Sequence, residues 1–348
     1  MNKLIEWFKE LPLPDFGELK ALLDLVEDRS GKSYPAIIWD MILCAFRYQA
    51  TPRDYAMLGM FEMDEAQRAT ILTDAKNRQY LRALNQPQAE HYFTNKLEFL
   101  HLFKEEYGRE YLDLSKTDAD TFADFAIQHP SFIAKAEEEQ GSSGAEKCAL
   151  DPEEGMIGLY NRLKTSNKTL LEEVLEQHPK LEKLYPHSAN TIRMVTMIDD
   201  QGETHLLYSA LRIGRGGANT DDFNAGGLII PIDPKTGKLE KYAVDRYGAA
   251  FERHPDTDVA FEGFAIPLWK ETMVLTHKIS KKVKGIRLVG WNLALTPKRP
   301  VLVKGSLNPT HEFYRPYPQN PEKRGMLPAF EAVVPYDSLK KKGRRAAK

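Results

Sequence analysis

The stretch VGWNLALTPKRPVLVKGSLNP, Val289 to Pro309, reads as two apolar strands joined by a turn at Pro297-Lys298-Arg299-Pro300. Four polar side chains in it are candidates to face inward: Asn292, Lys304, Ser306 and Asn308. Upstream, NTIRMVTMID, THLLYSALRIG and GGLIIPID share this texture of short apolar runs between Gly and Asp turns. Asp199-Asp200-Gln201-Gly202 joins two of them, and Asp233-Pro234-Lys235-Thr236-Gly237 closes another. The texture begins near Ile133, in FIAKAEEEQGSSGAEKCAL. Helices fit Thr169 to Gln177 and Lys270 to Val283. Strands and helices do not alternate in a βαβ rhythm, so the fold class is α+β rather than a doubly wound sheet.

Residues 1–90 read as helical. Leu4, Ile5, Phe8 and Leu11, then Leu19, Leu22, Leu23 and Val26, recur at three- and four-residue spacing. Pro12, Pro14 and Pro35 punctuate this region, and a helix fits Pro35 to Tyr48 with its proline near the first turn. No chemistry is visible there, so the region is expected to be a helical cap or a surface for a protein partner.

The chain has 348 residues, 48 Lys+Arg against 50 Asp+Glu, 42% hydrophobic and 28% charged residues. That is globular composition, which excludes a wholly disordered, collagenous or coiled-coil chain. A net charge of −2 argues against broad nucleic-acid binding. No apolar run reaches membrane-helix length, and Met1 to Glu10 lacks the features of a signal peptide. A cytoplasmic protein is the expectation. Cys44 and Cys148 are too few for a disulfide framework and read as buried small hydrophobes. The basic run KKKGRRAAK, Lys340 to Lys348, reads as a solvated tail, with nucleic-acid binding as a minor alternative.

Three further segments carry chemistry. Lys135 followed by Gly141-Ser142-Ser143-Gly144 could cradle phosphate, because glycine lets backbone N–H groups approach an anion; a bland Gly/Ser hairpin is the alternative. Glu172 and Glu173 stand either on the charged face of an amphipathic helix or at a hinge that meets an adenine and a ribose. Arg193 follows at a strand start and could reach a polyphosphate. In LRIGRGGANTDDFNAGGLIIPID, Arg212, Arg215, Asp221, Asp222, Asn224, Gly226 and Gly227 crowd glycines among charges. The alternatives there are a mobile loop and an ion network of Arg212 and Arg215 with Asp221 and Asp222. His129, His178 and His254 each precede a proline and read as turn or capping residues; Trp269 and Trp291 read as core.

In order and spacing, YFTNKLEFLHLF, HPSFIAK, EEVLEQHP with NTIRMVT, FNAGGLIIPID, and GWNLALT with PVLVKGSLNP resemble the ATP-grasp superfamily. The branch they resemble is the sugar-transfer-associated one, related to alpha-L-glutamate ligases, over roughly residues 45–320. Behind the N-terminal helical region (1–90) the resemblance implies an ATP-grasp domain (91–330). That domain has lobes of about 91–170 and 171–330, and a disordered basic tail (331–348) follows it. It implies ATP between two α+β lobes. Lys96 and Lys135 match phosphate-contacting lysines, Gly141–Gly144 a flap, and Glu172 and Glu173 the adenine hinge. Arg193 matches a triphosphate-side residue. Arg212, Arg215, Asp221, Asn224, Gly226 and Gly227 fall on the acceptor side. The implied activity is carboxylate–amine ligation through an acyl phosphate, with a carboxylate-bearing sugar or amino acid as acceptor.

The chain departs from this pattern where the family places magnesium ligands. An Asp, a Glu and an Asn are replaced by Asn292, Lys304 and Ser306, and a lysine repels a metal that wants hard anionic oxygens. The proline expected after Lys135 is Ala136, and an Asp-Asn pair reads Asp221-Asp222. Two expectations follow. Either Lys304 supplies part of the metal's charge beside the catalytic candidates Arg193 and Arg212, with Asp221 or Asp222 as a shifted ligand, or the chain binds nucleotide or a protein partner without turnover. No residue is assigned as a metal ligand, and Mg²⁺ is disfavoured.

Overall fold

The computed structural model describes residues 15–136, 145–309 and 316–339. Leu4, Ile5, Phe8 and Leu11 lie outside the described residues, and helices dominate from Phe16 to Tyr107. The helix Phe16–Ser30 is capped by Asp15, whose carboxylate accepts from the Glu18 amide at 2.8 Å, and it ends on Gly31 at φ 65°. Tyr34–Tyr48 follows, with Pro35 in its first turn. Leu22, Leu23, Val26, Ile37, Met41 and Tyr55 close a core of their own between these helices. Ile38, Trp39, Ile42 and Phe46 stay exposed on the second helix. Cys44 and Cys148 are buried, and burial lifts both thiols to about 11.

Two antiparallel sheets follow. The smaller joins β1 (Tyr111–Asp113), β4 (Leu170–Glu173), β2 (Ser131–Lys135) and β3 (Glu146–Ala149), in the order β1-β4-β2-β3. The helices Ala119–Gln128 and Gly155–Thr165 cover it through Phe122, Phe125 and Leu159. The larger has β5 (Thr191–Ile198), β6 (Thr204–Ile213), β7 (Leu228–Asp233), β8 (Lys238–Leu239), β9 (Ala243–Val244), β10 (Ala250–Phe251), β11 (Leu288–Leu295) and β12 (Pro300–Ser306). Its order is β10-β9-β7-β6-β5-β11-β12, with β8 paired to β7.

The segment expected as a helix over Thr169–Gln177 is the strand β4. It is paired on both sides, by β1 and β2, and Leu170 and Leu171 are both buried. A short unbroken apolar run fits a central strand as well as a helix, and only its neighbours decide. Because β4 completes the smaller sheet, that sheet extends to residue 173 rather than ending near 170. Residues 331–339, within the expected tail, are among the described residues. The helix Leu327–Val333 packs on the large sheet, and Val334 and Leu339 are buried with it. Residues 340–348 lie outside the described residues, as do 137–144, which include Gly141, Ser142, Ser143 and Gly144.

One face of the large sheet changes character along its length. Val195, Met197 and Leu288 lie under the helices Asp74–Leu84 and Leu327–Val333. Two residues further along each strand, the same face presents Arg193 and, past Gly290, Asn292. The opposite face carries Ile192, Met194, Trp291 and Leu293, packed by Phe99, Phe103 and Ile279.

Candidate functional site

The polar end of that sheet face and the smaller sheet enclose a cleft of about 510 Å³. Its lining includes Lys96, Lys135 and Glu172 on one side and Thr191, Arg212, Asp221, Asp222, Asn292, Lys304 and Ser306 on the other. The wall residues therefore come from segments separated by up to two hundred positions.

On the small-sheet wall, β2 and β4 set Ile133 opposite Glu172. Lys135 Nζ lies 2.5 Å from Glu172 Oε1, and Arg109 Nη1 lies 3.4 Å from Glu172 Oε2. The Arg109 guanidinium also stacks on the Tyr107 ring at 3.9 Å. Burial opposes the Glu172 charge, but Lys135, Arg109 and Tyr107 outweigh it and hold the carboxyl below its usual range. Burial lowers the Lys135 ammonium; Glu172 resists this and Arg109 adds to it. Lys96 Nζ donates to the Ala136 carbonyl, so the lysine on the helix Lys96–Leu102 is tied to the end of β2.

The large-sheet wall is built by register. Arg193 on β5 lies opposite Asn292 on β11, and Asn292 lies opposite Lys304 on β12. A bulge follows: Leu293 pairs with Leu302, so Val303 is the extra residue. In an unbroken strand Leu302 and Lys304 would share a face; the bulge puts Leu302 in the core and Lys304 on the cleft side. Gly290 leaves room for Arg193, whose Nη1 donates to its carbonyl at 3.1 Å. A Cβ there would stand 2.7 Å from that same nitrogen. The Asn292 Oδ1 is buried and has no hydrogen-bond partner. Lys304 is exposed along the cleft and forms no salt bridge among the described residues. The surrounding protein lowers its ammonium by stripping water. Arg212 and Arg193 act in the same direction, against Asp222 and Asp221.

Asp221 is committed. Its Oδ2 accepts from the Thr191 amide at 3.0 Å and from the Thr191 hydroxyl, and Arg212 Nη2 lies 3.5 Å from its Oδ1. The expected ion network is thus half present, since Arg215 pairs with Asp245 at 3.0 Å instead of with Asp222. Arg215 Nε also donates to the Gly226 carbonyl at 2.7 Å, and its guanidinium lies 5.2 Å from the Phe251 ring centroid. Gly227 is where the loop closes on itself: a Cβ would stand 2.9 Å from the Asp221 carbonyl oxygen.

Of the residues singled out in the sequence, Lys96, Lys135, Glu172, Arg212, Asp221, Asp222 and all four inward candidates, Asn292, Lys304, Ser306 and Asn308, line the cleft. Arg193 lies on the same sheet face without lining it. Glu173 is turned aside and accepts from the Glu110 amide at 3.1 Å. Arg215, Asn224, Gly226 and Gly227 belong to the folded loop and not to the cleft lining. Arg109, Tyr107 and Thr191 were missed. Each is a common residue type without a motif, and only the pairing of strands gives it a role. The prolyl-flanked histidines do local work: His178 Nδ1 accepts from the Lys180 amide, His254 spans the Gly214 carbonyl and the Asp256 amide, and His129 meets Glu110. Trp291 is buried, whereas Trp269 is only partly so.

Magnesium calls for several oxygen donors, preferably anionic, in near-octahedral array. The residues here do not fit it. Asn292 offers one neutral oxygen, Asp221 and Asp222 are already hydrogen-bonded, and Lys304 brings a positive charge to the same wall. Among the described residues no group of three or more His, Cys, Asp or Glu is placed to hold a metal ion. Nor is any described helix long and apolar enough to cross a membrane.

A family model described as sugar-transfer associated ATP-grasp matches residues 132–315, just over half of the chain. No curated protein sequence matches it. Among solved structures, the ATP-grasp ligase PsnB complexed with a minimal precursor is similar at 14% identity and TM-score 0.43, over 73% of this chain and 64% of that one. The D-alanyl-alanine synthetase A from Vibrio cholerae is similar at 12% and 0.41, over 72% and 63%. The N5-carboxyaminoimidazole ribonucleotide synthetase from Thermotoga maritima gives 11% and 0.38, over 63% and 43%. The chain spans less than two thirds of the length of each of these three structures. The sequence match, on its own extent, places this chain in the sugar-transfer-associated ATP-grasp family.

Proposed function

We propose that the chain binds ATP in the cleft between its two sheets, with the phosphates against Lys96, Lys135, Arg212 and Lys304. The observation that carries this is the convergence of four cationic side chains from separate segments on one cleft of about 510 Å³. Lysine and arginine side chains at close quarters favour a polyanion, and family membership supports a nucleotide as its source. On this proposal the chain works as a carboxylate–amine ligase, with a sugar or amino-acid carboxylate as acceptor. A carboxylate oxygen attacks the γ-phosphorus and ADP leaves. An amine then attacks the acyl carbon, phosphate departs, and the amine gives up a proton. Arg212 and Arg193 would stabilise charge on the transferring phosphoryl group by position, which is most of what such catalysis requires.

A second proposal, nucleotide binding without turnover, is favoured by one observation. Lys304 and the neutral Asn292 and Ser306 line the cleft, at positions that the sequence resemblance reads as exchanged magnesium ligands. Calorimetry with ATP, ADP and AMP tests binding, and ADP release over a panel of uronic acids and amino acids tests turnover. Binding with carboxylate-dependent ADP release supports the ligase. Binding with no release from any panel member supports the second proposal. Absence of binding overturns both.

A further inference from the structure

We propose that the cleft takes the polyphosphate of its nucleotide without a divalent cation, with Lys304 as the built-in positive charge of the large-sheet wall. This rests on the cleft's being a nucleotide site. The acids of the cleft are already used: Glu172 holds Lys135 and Arg109, Asp221 holds Thr191 and Arg212, and Asp222 Oδ1 accepts from the Asn224 amide at 2.8 Å. Lys304 has no such partner among the described residues and stands beside the buried, unpartnered Asn292 Oδ1.

Its presence there is a product of the backbone. The extra residue Val303 turns the lysine out of the core face and onto the cleft face. Arg193, on the far side of Asn292, and Arg212 add like charge to the same wall. Three cations repelling one another are relieved by an anion, whereas a divalent metal would add to the repulsion. An ammonium is a compact point charge with three donors; it can meet phosphate oxygens and still donate to a neighbouring amide oxygen.

The test is calorimetry of ATP, in EDTA and in excess Mg²⁺, with wild type, Lys304→Met, Lys304→Gln and Lys304→Arg, each checked for folding by circular dichroism. Wild type is expected to bind in EDTA at least as tightly as in Mg²⁺. Lys304→Met and Lys304→Gln should lose tenfold or more in EDTA, and Lys304→Arg should retain most of the affinity. Wild-type binding that requires Mg²⁺ overturns the inference and leaves the nucleotide proposal standing. So does unchanged binding of metal-free ATP by both neutral variants. If wild type binds ATP in neither buffer, the nucleotide proposal itself fails.

Discussion

Glu172 and Lys304 face one cleft from opposite walls, and their surroundings are opposite in kind. Glu172 is almost fully buried and its charge is answered within the protein, by Lys135 at 2.5 Å and Arg109 at 3.4 Å. Lys304 is exposed along the cleft, and its nearest charged influences are two arginines of its own sign, opposed by two aspartates. The small-sheet wall is a closed ion cluster. The large-sheet wall is an open one that an incoming anion would complete. Lysine count alone says nothing of this difference, because the same residue type is paired with a carboxylate of its own wall at position 135 and forms no ion pair among the described residues at position 304.

Five measurements can break or sharpen the contrast. The largest effect is expected from Lys135→Met, which leaves Glu172 buried with only Arg109. Removing one partner of a buried pair costs about 3–5 kcal/mol, and denaturant unfolding should show a loss toward that range. A loss under about 1 kcal/mol, the value of an exposed pair, would erase the distinction between the walls.

Glu172 should also set an acid limb. Its folded pKa is lowered, so its contribution is fully present above the unfolded carboxylate value of about 4.3 and is lost as pH falls through the folded value. Glu172→Gln should therefore be less stable at pH 7 and lose less stability than wild type between pH 5 and 2. Parallel stability curves for the two proteins would count against it.

Next comes Gly290→Ala. Its Cβ would meet Arg193 Nη1 at 2.7 Å and Pro309 Cβ at 2.8 Å. Overpacking of this kind costs about 1–3 kcal/mol, and displacing Arg193 should weaken ATP binding as well. A protein with wild-type stability and affinity would show that Arg193 yields freely.

The smallest stability change belongs to Lys304→Met, within about 0.5 kcal/mol of wild type by the same unfolding assay. A loss as large as that of Lys135→Met would mean that Lys304 is structural too. The triple substitution Lys304→Glu, Ser306→Asn and Asn292→Asp sharpens the same wall in calorimetry. It should make ATP binding depend on Mg²⁺, by about tenfold, or roughly 1.4 kcal/mol.

Much of this molecule was legible in its sequence. Short apolar runs between Gly and Asp turns marked β5, β6, β7, β11 and β12, and the lack of a βαβ rhythm gave the α+β class. The motifs carried the family, and Asn292, Lys304, Ser306 and Asn308, read as facing inward, all line the cleft. These are local signals, in which a residue type and its spacing suffice.

Tertiary structure decided the rest. It made Leu170–Glu173 a central strand, because two neighbours pair with it. It brought Arg109 and Tyr107 to Glu172 and folded Arg215, Gly226 and Gly227 into a loop apart from the cleft. It also turned Lys304 to the cleft through one extra residue at Val303. Sequence spacing fixes what a side chain is. Which face it occupies, and which charge answers it, depends on strand register and on partners far away in the chain.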